Sequence, residues 1–502
     1  MKRFLMIIVV VLGLAGLGSA QSTLPTVTIS TDGPIVNSPA VHGIIQVDDH
    51  NGNVIVMHAG FKIRGTSSQQ WEKKSYRVEL WTDETGIEMA DTTFLGMRSD
   101  DDWNLEAIYN QPLRLRNKIA NELWREIHTL SYQALEPDAA SSVAMEYVDV
   151  FVNETHMGVY ALSERVDRKL LGLKKYNGEL RGLLFKGNGP GNASFEELPD
   201  YDNTLDEWSQ FEWVYPNETD TAINWSGLYN LVNFVINAPD IVFNSQYYNM
   251  FDKVNLIDYY LFINAIGALD NMDRNTFLAR YKKSGTYFYV PWDLDAILGN
   301  DNNGQHWEAV DGLHSNGFFN RLTRDCAADG FVMMAKERYN SLRDSTLTKE
   351  HIMELIQAQY DALVECGAYE IEHEVWPEYE VDPSELDYIA EWIEARLNWL
   401  DNEINSACGT WDEDEVVESR VEVFPNPAKD KLFVRFAAPV SEAVSIRVYD
   451  MMGRLVFSLD ANEQVLSIPT QGLANGVYSL VINRNDSLNT PNSLNSKFLI
   501  LN

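Results

Sequence analysis

Cysteine is scarce in this chain: Cys326, Cys366 and Cys408 are the whole supply in 502 residues. Three thiols are too few for a disulfide scaffold, and an odd number leaves at least one without an intramolecular partner. One disulfide is possible, and spacing does not choose the pair. No CxxC, no HExxH and no Cys/His cluster with zinc spacing occurs, and the nine histidines are scattered, which argues against a structural zinc. A GxSxG elbow and a Walker A loop are both missing, so serine-hydrolase and P-loop readings lack their usual anchors. Basic residues are also in short supply, 39 Lys and Arg against 74 Asp and Glu, for a net charge of -35. Binding to phosphate backbones or anionic membranes draws on clustered Lys and Arg, so nucleic acid is excluded as a natural partner. The acidity reads first as a solubility device.

Long hydrophobic runs are equally rare. Lys2 and Arg3 precede one from Phe4 to Leu17, and Gly18-Ser19-Ala20 supplies small residues before Gln21. That is the pattern of a cleaved secretory signal peptide, residues 1–20, and it is shorter than the roughly 20 residues that span a bilayer. What the chain does have is core material, 45% hydrophobic and 11% aromatic residues, enough for more than one folded domain.

The clearest chemical clue lies mid-chain, where Asp270-Asn271-Met272-Asp273-Arg274-Asn275 and Pro291-Trp292-Asp293-Leu294-Asp295 flank two strand-like runs, Phe277–Tyr281 and Tyr287–Val290. With a Lys282-Lys283-Ser284-Gly285 turn between them the runs read as a hairpin, which brings both acidic segments to one edge. Gathered carboxylates repel unless a cation or a basic partner neutralises them, so oxygen ligation of Mg²⁺ is the expected explanation. Around this centre, residues 26–80 alternate apolar and polar positions and predict a β-rich opening. Residues 111–130, 224–266 and 348–407 carry helical spacing, the last in two helices. Trp208, Trp213 and Trp225 read as core rather than as a sugar platform. After Cys408 comes a charged linker, 409–420, and then short strands punctuated by Pro, Gly and Asn that predict a small antiparallel β-sandwich, 421–502.

Two family resemblances refine this outline. Pro425-Asn426-Pro427 with Lys431-Leu432, the Tyr449–Arg454 turn and Leu473-Ala474-Asn475-Gly476-Val477-Tyr478 resemble the C-terminal sorting domain of Bacteroidota type IX secretion cargo. The resemblance implies the type IX secretion machinery as partner, passage through the periplasm and outer membrane, and a protein that is secreted or held at the cell surface. Two departures stand out: a polar insertion, Asn483–Ser496, before the final strand Lys497–Ile500, and a terminus without a basic residue. Further upstream, Ile63-Arg64-Gly65-Thr66-Ser67-Ser68, Lys73–Val78, Leu95-Gly96-Met97, Asp101-Asp102-Trp103-Asn104, Gly158–Glu164, Leu183-Leu184-Phe185-Lys186, the Asn271/Asp273/Asn275 loop and Pro291–Asp295 resemble, in order, the CotH (spore coat protein H) kinase family.

That resemblance implies an α+β, atypical protein-kinase-like domain over 21–408, β-rich in its N-terminal part and helical in its C-terminal part, followed by the immunoglobulin-like sandwich. It implies ATP and Mg²⁺ as cofactors and protein hydroxyls as phosphate acceptors. By resemblance Lys186 contacts phosphate with Glu164 as its ion-pair partner, Arg64 covers the phosphates, Asp293, Asp295 and Asn275 hold the metal, and Asp273 orients or deprotonates the acceptor. Asp270 and Asp273 can exchange roles at this level. Local salt bridges explain Glu164 nearly as well, and Arg64 is equally suited to bracing a turn. A second class of function stays open, a catalytically silent surface or adhesion module, because no standing ATP pool exists outside the cell. Glycoside hydrolysis by paired carboxylates has only the abundance of acids behind it.

Overall fold

In the computed structural model, residues 23–189, 195–217, 221–268, 270–408, 421–436, 444–450, 453–484 and 492–500 are described. The signal peptide and the acidic linker expected from the sequence lie outside them. The chain forms two compact units, one from residues 1–113, 145–164 and 357–382, the other from 114–144, 165–356 and 383–502. The expected mixture of helix and strand is present throughout.

In the first unit the β-rich opening closes on itself. Strands Thr26–Thr31, Val41–Asp48, Val54–Ile63, Tyr76–Trp81, Asp102–Glu106, Thr155–Ser163 and Met145–Val152 pair in that order into a barrel, the last meeting the first in parallel. Period-two alternation directs Val27, Ile29, Ile45, Val47, Phe61, Val78, Trp103, Val148 and Leu162 to the interior, where each is almost completely buried. Closure leaves no edge strand, a feature that local alternation does not announce.

The second unit is built around a five-stranded antiparallel sheet, ordered Glu207–Trp208, Phe211–Tyr215, Leu183–Asn188, Arg274–Arg280, Tyr287–Pro291. Trp208 and Trp213 are core, as expected, but they sit on strands of this sheet rather than on helices. Beneath the hairpin runs the helix Lys253–Ile266, buried from Asn255 to Ile266. The Asp252 carboxylate starts it by accepting the Val254 and Asn255 amides, both at 3.1 Å. Gly267 ends it at φ +64°, and a Cβ there would stand 2.6 Å from the Trp392 ring, so glycine is required on both counts. Residues 348–407 hold three helices, Lys349–Glu365, Ala368–Val375 and Ser384–Ser406, one more than the periodicity suggested. Gly367, at φ +72°, separates the first two.

Cys326 and Cys408 form the disulfide, across 82 residues, and Cys366 is the free thiol. Closing so long a loop restricts the unfolded chain, an effect worth about 4.5 kcal/mol in the chain-entropy model.

At the C-terminal end, a three-stranded sheet (Val421–Phe424, Lys431–Phe436, Val465–Pro469) and a four-stranded sheet (Leu455–Ala461, Val444–Tyr449, Gly476–Arg484, Asn492–Ile500) share one core of Leu432, Val434, Phe436, Ile446, Val448, Leu480 and Phe498. Two sheets facing across one apolar layer match the immunoglobulin-like sandwich expected. The polar stretch before the final strand is corrected in part: Asn492–Ser496 pairs with Leu480–Arg484 and lengthens that strand.

Candidate functional site

Strand register builds the site. Lys186 lies opposite Phe277 and Gly187 opposite Thr276, while Thr276 in turn lies opposite Pro291. The end of the Lys186 strand, the start of the next and the end of the third therefore meet at one edge of the sheet. Asp273 and Asn275 enter at that edge, and Asp293 and Asp295 leave from it. The Trp292 amide bonds the Asn275 carbonyl at 3.0 Å, carrying the ladder one step beyond the paired strands. A Cβ on Gly187 would stand 2.8 Å from the Asp273 carbonyl oxygen, so glycine after Lys186 lets the acidic segment lie directly against the strand.

The two faces of the sheet have different neighbours. Thr276 and Tyr289 face the buried helix: the Tyr259 hydroxyl is 2.8 Å from Thr276 Oγ1, the Tyr259 and Tyr289 rings stack at 4.8 Å, and Asn255 bonds both the amide and the carbonyl of Tyr289. Burial raises the pKa of both phenols well above the ordinary range. Alternation places Lys186, Asn275, Phe277 and Trp292 on the opposite face, where the Phe277 and Trp292 rings meet edge to face at 6.0 Å.

Buried amides and a buried cation fix the acidic segments. Asn271 donates to the carbonyls of Asn275 (2.7 Å) and Trp292 (2.8 Å), tying one segment to the other. Asn117, on the helix Arg116–Ile127, accepts the Leu294 amide between the two acids at 3.2 Å. Arg116, fully buried, donates to the Ile297 carbonyl at 3.1 Å and is neutralised by Glu385 at 2.6 Å. Desolvation lowers its pKa, and Glu385 opposes that shift. Asn275 and Asp293 both take left-handed backbone, φ 51° and 56°, a conformation that Asn and Asp tolerate better than other side chains.

Lys186 and Asp293 are half-buried, and within this unit neither has a hydrogen-bond or ion-pair partner among the described residues. Asp270 is occupied differently: its carboxylate takes Asn302 at 2.9 Å and faces Arg274 at 3.6 Å.

Arg64 and Glu164 belong to the barrel unit. There Arg64 lies 3.4 Å from Glu106 and its amide bonds the Ser75 carbonyl. Glu164, 4% exposed, accepts the Arg98 amide at 2.9 Å with the Arg98 guanidinium 3.8 Å away. Among the described residues, the carboxylates close enough to share one cation are those of Asp91, Asp100 and Asp101, also in the barrel unit, with the Arg98 guanidinium against Asp100. Asp273, Asp293 and Asp295 are not gathered that tightly. Their chemistry still suits Mg²⁺, which takes one or two carboxylates from the protein and fills its octahedron with phosphate oxygens and water.

Sequence reasoning passed over Asn117, Arg116 and the stapling role of Asn271. The usable signal was polar residues on an otherwise apolar helical stripe: Arg116 and Asn117 precede Ile119, Leu123 and Trp124, and all five are buried.

This edge of amides and unpartnered charge is the setting for the comparison with known proteins. Residues 61–400 match the CotH kinase protein family, and the chain belongs to it. Residues 422–494 match the secretion system C-terminal sorting domain, so the protein is handled by the type IX machinery and exported to the cell surface or the medium. A curated relative, inner spore coat protein H of Bacillus subtilis, is 25% identical over 300 residues, covering 60% of this chain and 75% of its own. Two solved structures align over short stretches. PorZ, a surface component of the type IX secretion system of Porphyromonas gingivalis, is 20% identical over 19% of this chain and 13% of its own, with a TM-score of 0.15. An immunoglobulin-like sandwich from Bacteroides vulgatus is 21% identical over 16% of this chain and 84% of its own, with a TM-score of 0.14. Among the described residues no helix is long and apolar enough to cross a membrane.

Proposed function

We propose that this exported protein transfers the terminal phosphoryl group of ATP to hydroxyls of protein substrates, with Mg²⁺ as companion ion, on an atypical kinase-like domain spanning 21–408. Family membership supports the reaction class, and one observation carries the reading. Lys186 and Asp293, opposite charges from segments about a hundred residues apart, arrive at one sheet edge and find no partner within their unit. Leaving a half-buried charge unpaired costs free energy, so such a site is explained by a ligand that supplies the missing charges.

In this reading Lys186 binds the phosphates. Asp293, Asp295 and Asn275 would hold Mg²⁺, which supplies neutralisation of the triphosphate charge. Asn117 and Asn271 keep the acidic segments in place. Asp273 accepts the proton of the substrate hydroxyl as its oxygen bonds to phosphorus and ADP departs. Arg64 and Glu164 are assigned to the phosphate side of the site by family resemblance alone. Residues 421–502 form the sorting domain, joined through the linker 409–420.

The competing reading is a silent surface scaffold, favoured by export away from cellular ATP. The two separate in the mature full-length protein. ATP with Mg²⁺ raises the melting temperature of wild type, and Asp293→Ala abolishes the rise. Asp273→Asn keeps that rise but loses phosphate incorporation into the acceptor or into the protein itself by about 10²-fold or more. No nucleotide-dependent rise in wild type leaves only the scaffold.

A further inference from the structure

On the outside of the barrel, strands Val41–Asp48 and Val54–Ile63 carry His42 and His58 in diagonal register, His42 opposite Gly60 and His58 opposite Ile44. Their facing nitrogens, His42 Nε2 and His58 Nδ1, are 3.0 Å apart. The other nitrogen of His42 is engaged by the Asp32 carboxylate at 2.6 Å. The ring of His42 is nearly parallel to those of His58 (centroids 5.3 Å apart) and Trp81 (6.0 Å). Gly60 makes room for this stack, because a Cβ there would stand 2.2 Å from the Trp81 ring.

These features together describe a chelate. With Asp32 accepting the Nδ1 proton, the lone pair of His42 is at Nε2, directed at His58. A carboxylate behind a ligating imidazole is the usual way of fixing its tautomer and raising its basicity. Two nitrogens bound to one ion at about 2.05 Å lie roughly 2.9 Å apart at a right angle and roughly 3.3 Å apart at the tetrahedral angle. The observed 3.0 Å falls in that interval, so one ion can replace the shared proton once each ring turns to aim its lone pair off the line between the two nitrogens, without the nitrogens moving apart. His58 then carries its proton on Nε2. Both imidazoles are partly exposed, which leaves the remaining coordination positions to water. Imidazole donors select Zn²⁺, Cu²⁺ and Ni²⁺ over Mg²⁺ and Ca²⁺. Both residues also precede the segment that matches the kinase family.

We propose that His42 and His58, oriented by Asp32, form a surface site for one divalent transition-metal ion, independent of the phosphotransfer edge. The test uses metal-stripped full-length mature protein titrated with Cu²⁺, read by the nitrogen hyperfine pattern in electron paramagnetic resonance, and with Zn²⁺, read by calorimetry. Wild type is expected to take up one ion with two nitrogen ligands. His58→Gln and His42→Gln should each lower the affinity at least tenfold and reduce the pattern to one nitrogen. Asp32→Asn should weaken binding while keeping both nitrogens, and His156→Gln should change nothing. Wild-type and His58→Gln spectra that coincide, or a two-nitrogen signal that instead disappears in His156→Gln, overturns the assignment. Circular dichroism of each variant separates loss of the site from loss of the barrel.

Discussion

The barrel and the five-stranded sheet treat a lysine in opposite ways. In the barrel unit Lys73 is sealed from solvent, with Nζ 2.7 and 2.8 Å from the two Glu372 oxygens, 2.5 Å from the Val159 carbonyl and 4.7 Å above the Tyr160 ring. Glu372 completes the arrangement by accepting the Val159 amide at 2.9 Å, and Gly158 leaves space for it, since a Cβ there would stand 2.6 Å from Oε2. In the sheet, Lys186 has none of this. A cation whose donors are all satisfied is architecture; one left unpaired at a sheet edge that also carries an unpartnered carboxylate points to a ligand.

The largest effect follows from breaking the satisfied pair. Glu372→Ala leaves an uncompensated ammonium in the barrel wall and should destabilise by about 3–5 kcal/mol, read as a lower urea midpoint. Replacing both partners, Lys73→Met with Glu372→Leu, should recover most of that loss, because the desolvation of two charges disappears with them. If the double variant is no better than the single one, the pair contributes more than mutual neutralisation and the contrast with Lys186 weakens.

Acid comes next and acts on the sheet's unit. Burial, and after it the Arg396 charge, lowers the His314 imidazole from 6.5 to about 4. The unfolded chain therefore binds a proton that the folded one refuses between those two values, and the linkage sign is fixed: stability present above pH 6.5 is lost as pH falls toward 4. The whole shift corresponds to at most about 3 to 4 kcal/mol. His314→Asn should flatten the urea midpoint against pH in that window. An unchanged slope would assign the acid sensitivity to other groups.

How much of this contrast the letters disclosed depends on distance along the chain. The hairpin between Arg274 and Pro291, the acidic segments at its ends and the tryptophan core all follow from alternation and turn residues. Such signals are local, and they worked. Lys73 and Glu372 are 299 residues apart, and neither neighbourhood suggests that the other exists. Barrel closure, the Cys326–Cys408 pairing and the Arg116–Glu385 anchor fail for the same reason, since each is a long-range pairing that only the folded chain brings together. Glu164 and Arg64 were singled out for phosphate, yet the contacts they make inside their own unit are with Arg98 and Glu106. A motif can mark a residue without revealing which of its neighbours it serves.

The smallest effect on stability is the most discriminating. Lys186→Ala removes a half-buried charge with no partner in its unit, so the unliganded protein should change by no more than about 0.5 kcal/mol. With ATP and Mg²⁺ at a hundred times the dissociation constant, wild type should gain about 2.7 kcal/mol, and each tenfold loss of affinity in the variant removes about 1.4 of it. Glu372→Ala should do the reverse, lowering the baseline while leaving the nucleotide increment intact. The two lysines are then told apart by which of the two quantities moves, without any knowledge of the natural acceptor. A Lys186→Ala protein that melts several degrees lower and keeps its full nucleotide increment would make Lys186 architecture too, and the sheet edge would need another explanation for its unpartnered Asp293.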